Sequence, residues 1–301
     1  MHFTLKNNKM EFCTIFDISY TPKGLSLYRS LEQTGIKFHI LCLDSSSYDV
    51  VNSLKLKNVL VYSLDDLERN DEALLVLKNL ETQSQFGSQW ARYCWALTPY
   101  FTNLILETSQ ANSILYIDAD LYFYDGIQEI LEEVKECSIG IITHRHEHHL
   151  RNNTTSGKYN VGIVFFRKDD EGIACSRFWR DLLMNPQNEY ANEYGTCGDQ
   201  KYLELFEVKF PSRLHIIDDL VGHGAPWCFD SYTYLEKYKI VWRGKKQRLV
   251  FNHFSHFVDN GENWSSSHSG EWKPEKLNTY VKEYYDDYHQ EIRKTIKMFG
   301  L

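Results

Sequence analysis

Short apolar runs alternate with amphipathic stretches over the first sixty residues. Residues 11–18 (Glu-Phe-Cys-Thr-Ile-Phe-Asp-Ile) read as a strand, and residues 25–33 as a helix with Leu27, Tyr28 and Leu31 at core spacing and Gly35 as its stop. Residues 37–44 and 59–62 read as two further strands. This strand–helix–strand–helix–strand rhythm predicts a mostly parallel sheet with helices on its faces. Residues 70–108 read as helical, with Trp90, Leu97, Phe101 and Leu104 on one apolar stripe. The pattern then predicts a strand over 112–117, a helix over 127–136, strands over 138–143 and 158–167, a helix over 172–184 and a strand over 249–252. Residues 274–299 form one amphipathic helix with Tyr280, Tyr284, Tyr288, Ile292 and Ile296 in line. With no internal repeat and no linker, the expected organisation is a single α/β domain over 1–270 and a C-terminal helix over 271–301 packed on it, with peripheral membrane contact as that helix's other use.

The chain's candidate chemistry centres on Ile114-Leu115-Tyr116-Ile117-Asp118-Ala119-Asp120-Leu121. Side chains alternate faces in an extended segment, so Asp118 and Asp120 point the same way at a strand end. Two like charges held side by side raise each other's free energy unless a cation, a proton or a strong donor lies between them. Oxygen donors in this spacing favour a hard divalent ion, Mg²⁺ or Mn²⁺, whose remaining positions substrate phosphates often fill. Ligands of parallel sheets bind outside the carboxyl ends of the strands, and Asp17, Asp44 and Asp118 all fall at such ends.

Composition narrows the partners. A net charge of −8 argues against nucleic acid, and the 43% hydrophobic fraction supports a sizeable core. The seven cysteines are scattered and include no C-x-x-C, which predicts buried thiols in a reducing compartment rather than disulfides or zinc. There is no apolar leader pattern at the N-terminus and no window of membrane-spanning length, so the expected location is cytoplasmic. Aromatic residues reach 15%, more than a core alone usually asks for, and flat rings suit bases and sugars. No G-x-G-x-x-G follows the first strand and no G-x-x-x-x-G-K-[ST] occurs, which argues against a dinucleotide or P-loop site.

Strand-end Asp118-Ala119-Asp120, the strand carrying Asn160-Val161-Gly162, then Gly198-Asp199-Gln200 and a late His-containing strand come in an order that resembles metal-dependent GT-A glycosyltransferases, as a divergent relative of the family 8-like branch. The resemblance spans residues 11–257. It implies a nucleotide-sugar donor, usually a uridine diphosphate sugar, a glycan or other hydroxyl acceptor, a Mn²⁺ or Mg²⁺ cofactor and retention of anomeric configuration. Phe16, Asp17 and Tyr20 would then face the nucleotide, with Asp118 and Asp120 on the metal. Asn160, Gly162, Asp199 and Gln200 would line the sugar and acceptor pocket, Asp199 and Gln200 being the catalytic candidates, with Arg92 as a further sugar contact. The usual late segment of His, Gly and Lys-Pro-Trp is not intact here, since Ala225-Pro226-Trp227 and His253 are separated. His253, at a strand end, and His223, in a Gly-flanked loop, compete as third metal ligand; the strand-end position favours His253 and leaves His223 and Trp227 to sugar or acceptor.

Other readings stay open. Asp-x-Asp after an apolar strand also resembles haloacid-dehalogenase-like phosphatases, with Asp218-Asp219 imitating their later acidic pair, although that family places the motif near the chain start. A sugar hydrolase would pair Asp118 with Asp199. A non-catalytic nucleotide-sugar-binding protein would keep the pocket without turnover. The His-rich run 144–149 reads as a substrate-side loop with adventitious affinity for metals.

Overall fold

The computed structural model describes residues 9–79, 88–146, 155–266 and 278–301. Its centre is a seven-stranded sheet in the order β3-β2-β1-β4-β7-β6-β8. The strands are β1 (Met10–Phe16), β2 (Phe38–Cys42), β3 (Val59–Ser63), β4 (Ser113–Ile117), β6 (Ile139–Thr143), β7 (Tyr159–Arg167) and β8 (Leu214–Ile216). β3, β2, β1 and β4 pair parallel, β6 pairs parallel with β8, and β7 runs antiparallel between β4 and β6. The carboxyl ends of β1, β4 and β6 and the amino end of β7 therefore meet along one edge.

Strand alternation splits the core in two. Phe12, Phe16, Ile40, Leu115 and Ile117 belong to one buried cluster with Leu25, Leu27 and Leu31 of α1 (Thr21–Leu31). Cys13, Leu41, Ile114 and Tyr116 belong to the other, with Leu97 and Phe101 of α5 (Gln89–Thr108) and Trp179 of α7 (Asp170–Met184). Helices thus cover both faces, which is why these strands read as continuous apolar runs. α1 begins earlier than its apolar spacing suggests because Pro22 fits the first helical turn. The helical reading of 70–108 resolves into α4 (Glu72–Asn79) and α5, with residues 80–87 outside the described residues.

Beyond β4 the chain turns into β5 (Leu121–Phe123), which joins a smaller sheet of β10 (Thr233–Glu236), β11 (Lys239–Trp242) and β12 (Lys245–His253), with β9 (Val221–Gly224) parallel to β12. β11 and β12 form a hairpin whose two-residue turn, Arg243-Gly244, has positive φ at both positions (49° and 79°), matching the strand twist. Here the structure corrects two readings: His223 lies within β9 rather than in a flexible loop, and the late strand starts at Lys245 rather than at residue 249.

The last helix, α10, is described from Thr279 to Phe299; the expected positions 274–277 lie outside the described residues. It buries Val281, Tyr284, Tyr285, Tyr288 and Ile292 in a third cluster with Trp227, Phe254 and Phe257. Thr295 ties it to α1, accepting from Arg29 Nη1 and meeting Ser26 Oγ, both at 2.8 Å. Tyr288 stacks on Phe254, the neighbour of His253, at a centroid distance of 3.9 Å, and its buried hydroxyl has no hydrogen-bond partner among the described residues. Tyr288→Ala is therefore expected to cost about 3–5 kcal/mol in urea unfolding through cavity formation. Tyr288→Phe should be neutral or slightly stabilising, because it removes an unsatisfied buried hydroxyl; equal losses in both variants would show that the hydroxyl, not the ring, supports the packing.

Candidate active site

β4 ends at Ile117, and the turn into β5 holds both carboxylates. The Asp118 N–H donates to the Gly162 carbonyl of β7 at 3.0 Å, and the Leu121 N–H closes the turn on the Asp118 carbonyl at 3.1 Å. β12 pairs with β5 so that His253 stands opposite Leu121, and the Phe254 N–H donates to the Asp120 carbonyl at 2.9 Å. The imidazole is thereby delivered to the carboxylates: His253 Nε2 lies 3.0 Å from Asp120 and 3.8 Å from Asp118. One ligand atom from each of the three lies within 4.8 Å of the others, and no other trio of His, Cys, Asp and Glu among the described residues meets that spacing. Of the two competing histidines, the structure brings His253 to the pair.

The three groups are electrostatically coupled. Burial and the neighbouring Asp120 charge push Asp118 up, against the pull of His253. Burial acts on Asp120 too, but His253 and Lys23 outweigh it and hold this carboxyl at about 2. Burial opposes the charge on His253, yet the two aspartates raise it above the ordinary imidazole value. On the far side of the ring, His253 Nδ1 faces Asn160 Oδ1 at 3.3 Å, which leaves Nε2 as the ligand atom. Two carboxylate oxygens and one oriented imidazole nitrogen are a donor set that fits a divalent ion.

Asn160 joins this group to the next. Its Oδ1 also accepts from the Gly162 N–H at 2.9 Å, and its Nδ2 donates to Gln200 Oε1 at 3.3 Å. A side chain at Gly162 would place a Cβ 2.7 Å from Asn160 Oδ1 and 3.0 Å from His253 Nδ1, so the glycine makes room for the pair. Gly198, at φ 57°, packs against the Trp95 ring of α5 and turns the chain inward. Asp199 is held there by Trp179 Nε1, which donates to its carbonyl at 3.1 Å, and its buried side chain is pushed well up by desolvation and then by Asp118. The residue does not cap a helix; Gln200 precedes the 3-10 turn Lys201–Leu203.

At the β1 end the aromatic candidates separate. Phe16 is 2% exposed and its ring packs against Gly24, which removes it as a base-stacking residue. Tyr20 is 38% exposed, and the charges of Asp120, then burial, then Asp118 and Asp17, push its hydroxyl up. Asp17 caps the turn Ile18–Tyr20, accepting from Tyr20 N at 3.1 Å and Ser19 Oγ at 2.6 Å. Asp44 is structural: it caps α2 (Ser45–Ser53) and accepts from the Ile18 N–H at 2.8 Å. Lys23, one turn into the chain after Tyr20, rests its ammonium 4.0 Å above the Tyr20 ring.

The other flank is lined by rings. Trp227 meets His253 edge-on at 5.2 Å and His144 at 5.5 Å, and His144 stacks on His146 at 4.5 Å. His223 stacks on Phe251 at 5.5 Å, and its Nε2, like Trp227 Nε1, is buried with no hydrogen-bond partner among the described residues. Burial holds His144 at about 3 and His223 well below the ordinary value, so both are neutral donors or acceptors. Of the His-rich run, residues 147–149 lie outside the described residues. Arg92 lies on α5 one turn before Trp95. Asp218 of the supposed second acidic pair is engaged by Arg145 at 3.2 Å and by Thr143 Oγ1. A separate cleft of about 420 Å³ beside α10, lined by Tyr122, Tyr238 and Arg248, holds none of these candidates.

No family model matches the chain. The uncharacterized protein YfnF of Bacillus subtilis (strain 168) is 29% identical over 254 residues, 81% of this chain and 80% of that one. Mouse xyloside xylosyltransferase 1, in its apo form, superposes with a TM-score of 0.54 at 17% identity over 81% of this chain and 97% of its own. The galactosyltransferase LgtC, solved with donor and acceptor sugar analogues, gives a TM-score of 0.54 at 11% identity over 95% and 96%. The fold is that of GT-A glycosyltransferases, a mixed and mostly parallel sheet flanked by helices. That fold sets aside the phosphatase alternative.

Mn²⁺ titration followed by electron paramagnetic resonance tests the triad. Asp120→Ala and His253→Ala should each eliminate single-site binding. Gly162→Ala, which touches the supports of His253 rather than the ion, should weaken it by about 10–100-fold. Wild-type binding in the Asp120 or His253 variant would remove the triad as the metal site.

Proposed function

We propose that this chain transfers a sugar from a nucleoside diphosphate sugar, most readily a uridine diphosphate sugar, to a hydroxyl acceptor in a divalent-metal-dependent reaction. The observation that carries the reading is the Asp118–Asp120–His253 group at the carboxyl edge of the sheet, flanked by an exposed tyrosine on one side and by buried polar side chains on the other. The glycosyltransferase neighbours of the same fold support it.

Each part has a role in this chemistry. A Mn²⁺ or Mg²⁺ ion held by Asp118, Asp120 and His253 would neutralise charge on the diphosphate. Tyr20 offers a face for the base, with Asp17 nearby. Asp199, Gln200 and Asn160 present polar groups to the sugar hydroxyls. His223 and Trp227, with unfilled hydrogen-bonding capacity, suit sugar or acceptor hydroxyls, and Trp227 adds an edge for the ring. The acceptor oxygen bonds to the anomeric carbon as the bond to the phosphate oxygen breaks; that oxygen keeps the electron pair and takes up the acceptor's proton when attack comes from the leaving-group face, with configuration retained.

The test is release of nucleoside diphosphate from a panel of nucleotide sugars with Mn²⁺, with and without acceptor sugars. Turnover should require metal, disappear in chelator and fall at least about a hundredfold in Asp120→Ala, since each interaction in a metal-assisted step contributes several kcal/mol. Binding without release from any donor would instead support a nucleotide-sugar-binding protein. Full turnover in chelator would reject the metal-dependent mechanism.

A further inference from the structure

The cleft of about 420 Å³ beside α10 includes none of the triad in its wall, which is built on three half-buried tyrosines, Tyr122, Tyr124 and Tyr238. Alternation along β5 turns Leu121 and Phe123 into the core shared with α1, and Tyr122 and Tyr124 toward the cluster of α10. His253 pairs with Leu121, so the cleft opens on the other face of the β5–β12 pair from the register position that delivers the imidazole. Its volume falls in the range of small-molecule sites, about 300–1,000 Å³.

Tyr238 is held there against backbone preference. It is the second residue of the two-residue turn between β10 and β11, at φ 65°, a conformation that favours Gly or Asn. Its ring lies 4.4 Å from that of Tyr124 and 5.4 Å from that of Tyr284, and its hydroxyl donates to Asp287 Oδ2 at 2.8 Å. A bulky side chain kept in a left-handed turn points to a use for its ring.

The charges around the cleft narrow the ligand. Each charged side chain of the wall has an opposite partner: Asp125 meets Arg248 at 3.1 Å, Asp287 meets Lys237 at 2.7 Å, and Glu291 meets Lys294 and, at 3.5 Å, Arg29. Little unopposed charge is left for a phosphate or an ammonium group. What the cleft offers is tyrosine surface beside paired ions, with the Tyr122 hydroxyl and the exposed Gln290 amide at its wall. A pyranose matches that lining, with an apolar ring face for tyrosine and hydroxyls that donate to carboxylates and accept from guanidinium and amide.

We infer that the cleft walled by Tyr122, Tyr124 and Tyr238 is a second saccharide-binding site, which takes a neutral oligosaccharide apart from the Asp118–Asp120–His253 group. This goes beyond the transfer proposed above, because binding here needs neither metal nor donor. In a transferring enzyme the site would hold a remote part of a glycan acceptor while its reacting end lies at the triad.

Saturation-transfer NMR on the full chain tests this, with neutral hexasaccharides of glucose, galactose, mannose and xylose as probes, first without metal and then with Mn²⁺–UDP. At least one probe should bind without metal and remain bound when Mn²⁺–UDP is added. Tyr238→Gly relaxes the turn and removes the ring, and should weaken that binding by about three- to tenfold, the loss of one ring contact with the area beneath it. Tyr238→Phe, which keeps the ring, should stay close to wild type. Gln290→Ala, at an exposed position of α10, should weaken binding by about two- to tenfold through one lost hydrogen bond, with thermal melts showing that the variants fold. Binding that requires Mn²⁺–UDP or is displaced by it overturns the inference, as does binding unchanged in both Tyr238→Gly and Gln290→Ala, or a wild-type chain that binds none of the probes. Tyr238-dependent saccharide binding in a chain that turns over no nucleotide sugar keeps this site and rejects the proposed transfer.

Discussion

Two carboxylates confined to one turn, with an imidazole brought against them, are the constraint on which this architecture depends. Asp118 and Asp120 cannot spread apart, because one is pinned by β7 through Gly162 and the other by β12 through the Phe254 amide. Without a counter-charge such a pair is costly in a buried setting. His253 offsets part of that cost, and its position is set by strand register rather than by its own flexibility. A slip of one residue between β5 and β12 would send the imidazole to the opposite face.

Rigidity then passes outward from the triad through named contacts. Asn160 holds the far side of His253 and reaches Gln200, so the loop at 198–200 is coupled to the imidazole through one amide. Phe254 carries the same strand into the aromatic cluster of α10, where Tyr288 stacks on it. α10 in turn is fastened to α1, whose first turn bears Lys23. The two sides of the site, loop after β1 and loop after β12, are thus braced by one helix.

Much of this was legible in the chain because alternation carries information where one face differs from the other. Asp118 and Asp120 were readable for that reason, and His253 because an apolar run ended at it. Phe16 misled because β1 is buried on both faces, so nothing in the pattern distinguishes a ring under α1 from a ring open to solvent. His223 misled because glycines on either side signal a loop, whereas here they admit close backbone approach: a Cβ on Gly222 would lie 2.3 Å from the Arg248 carbonyl. Gly162 makes space for Asn160 and His253, a long-range contact that local pattern cannot express.

The pairing of β5 with β12 also sets the order in which this chain can be assembled. Asn160 and His253 are 93 positions apart, and the aspartates lie earlier still. The central sheet can gather from contacts among earlier segments, but loop closure across so long a span comes at an entropic cost that only later packing repays. During synthesis the two carboxylates emerge well before the imidazole that joins them. A divalent ion held by Asp118, Asp120 and His253 would therefore be captured only after β12 has joined β5.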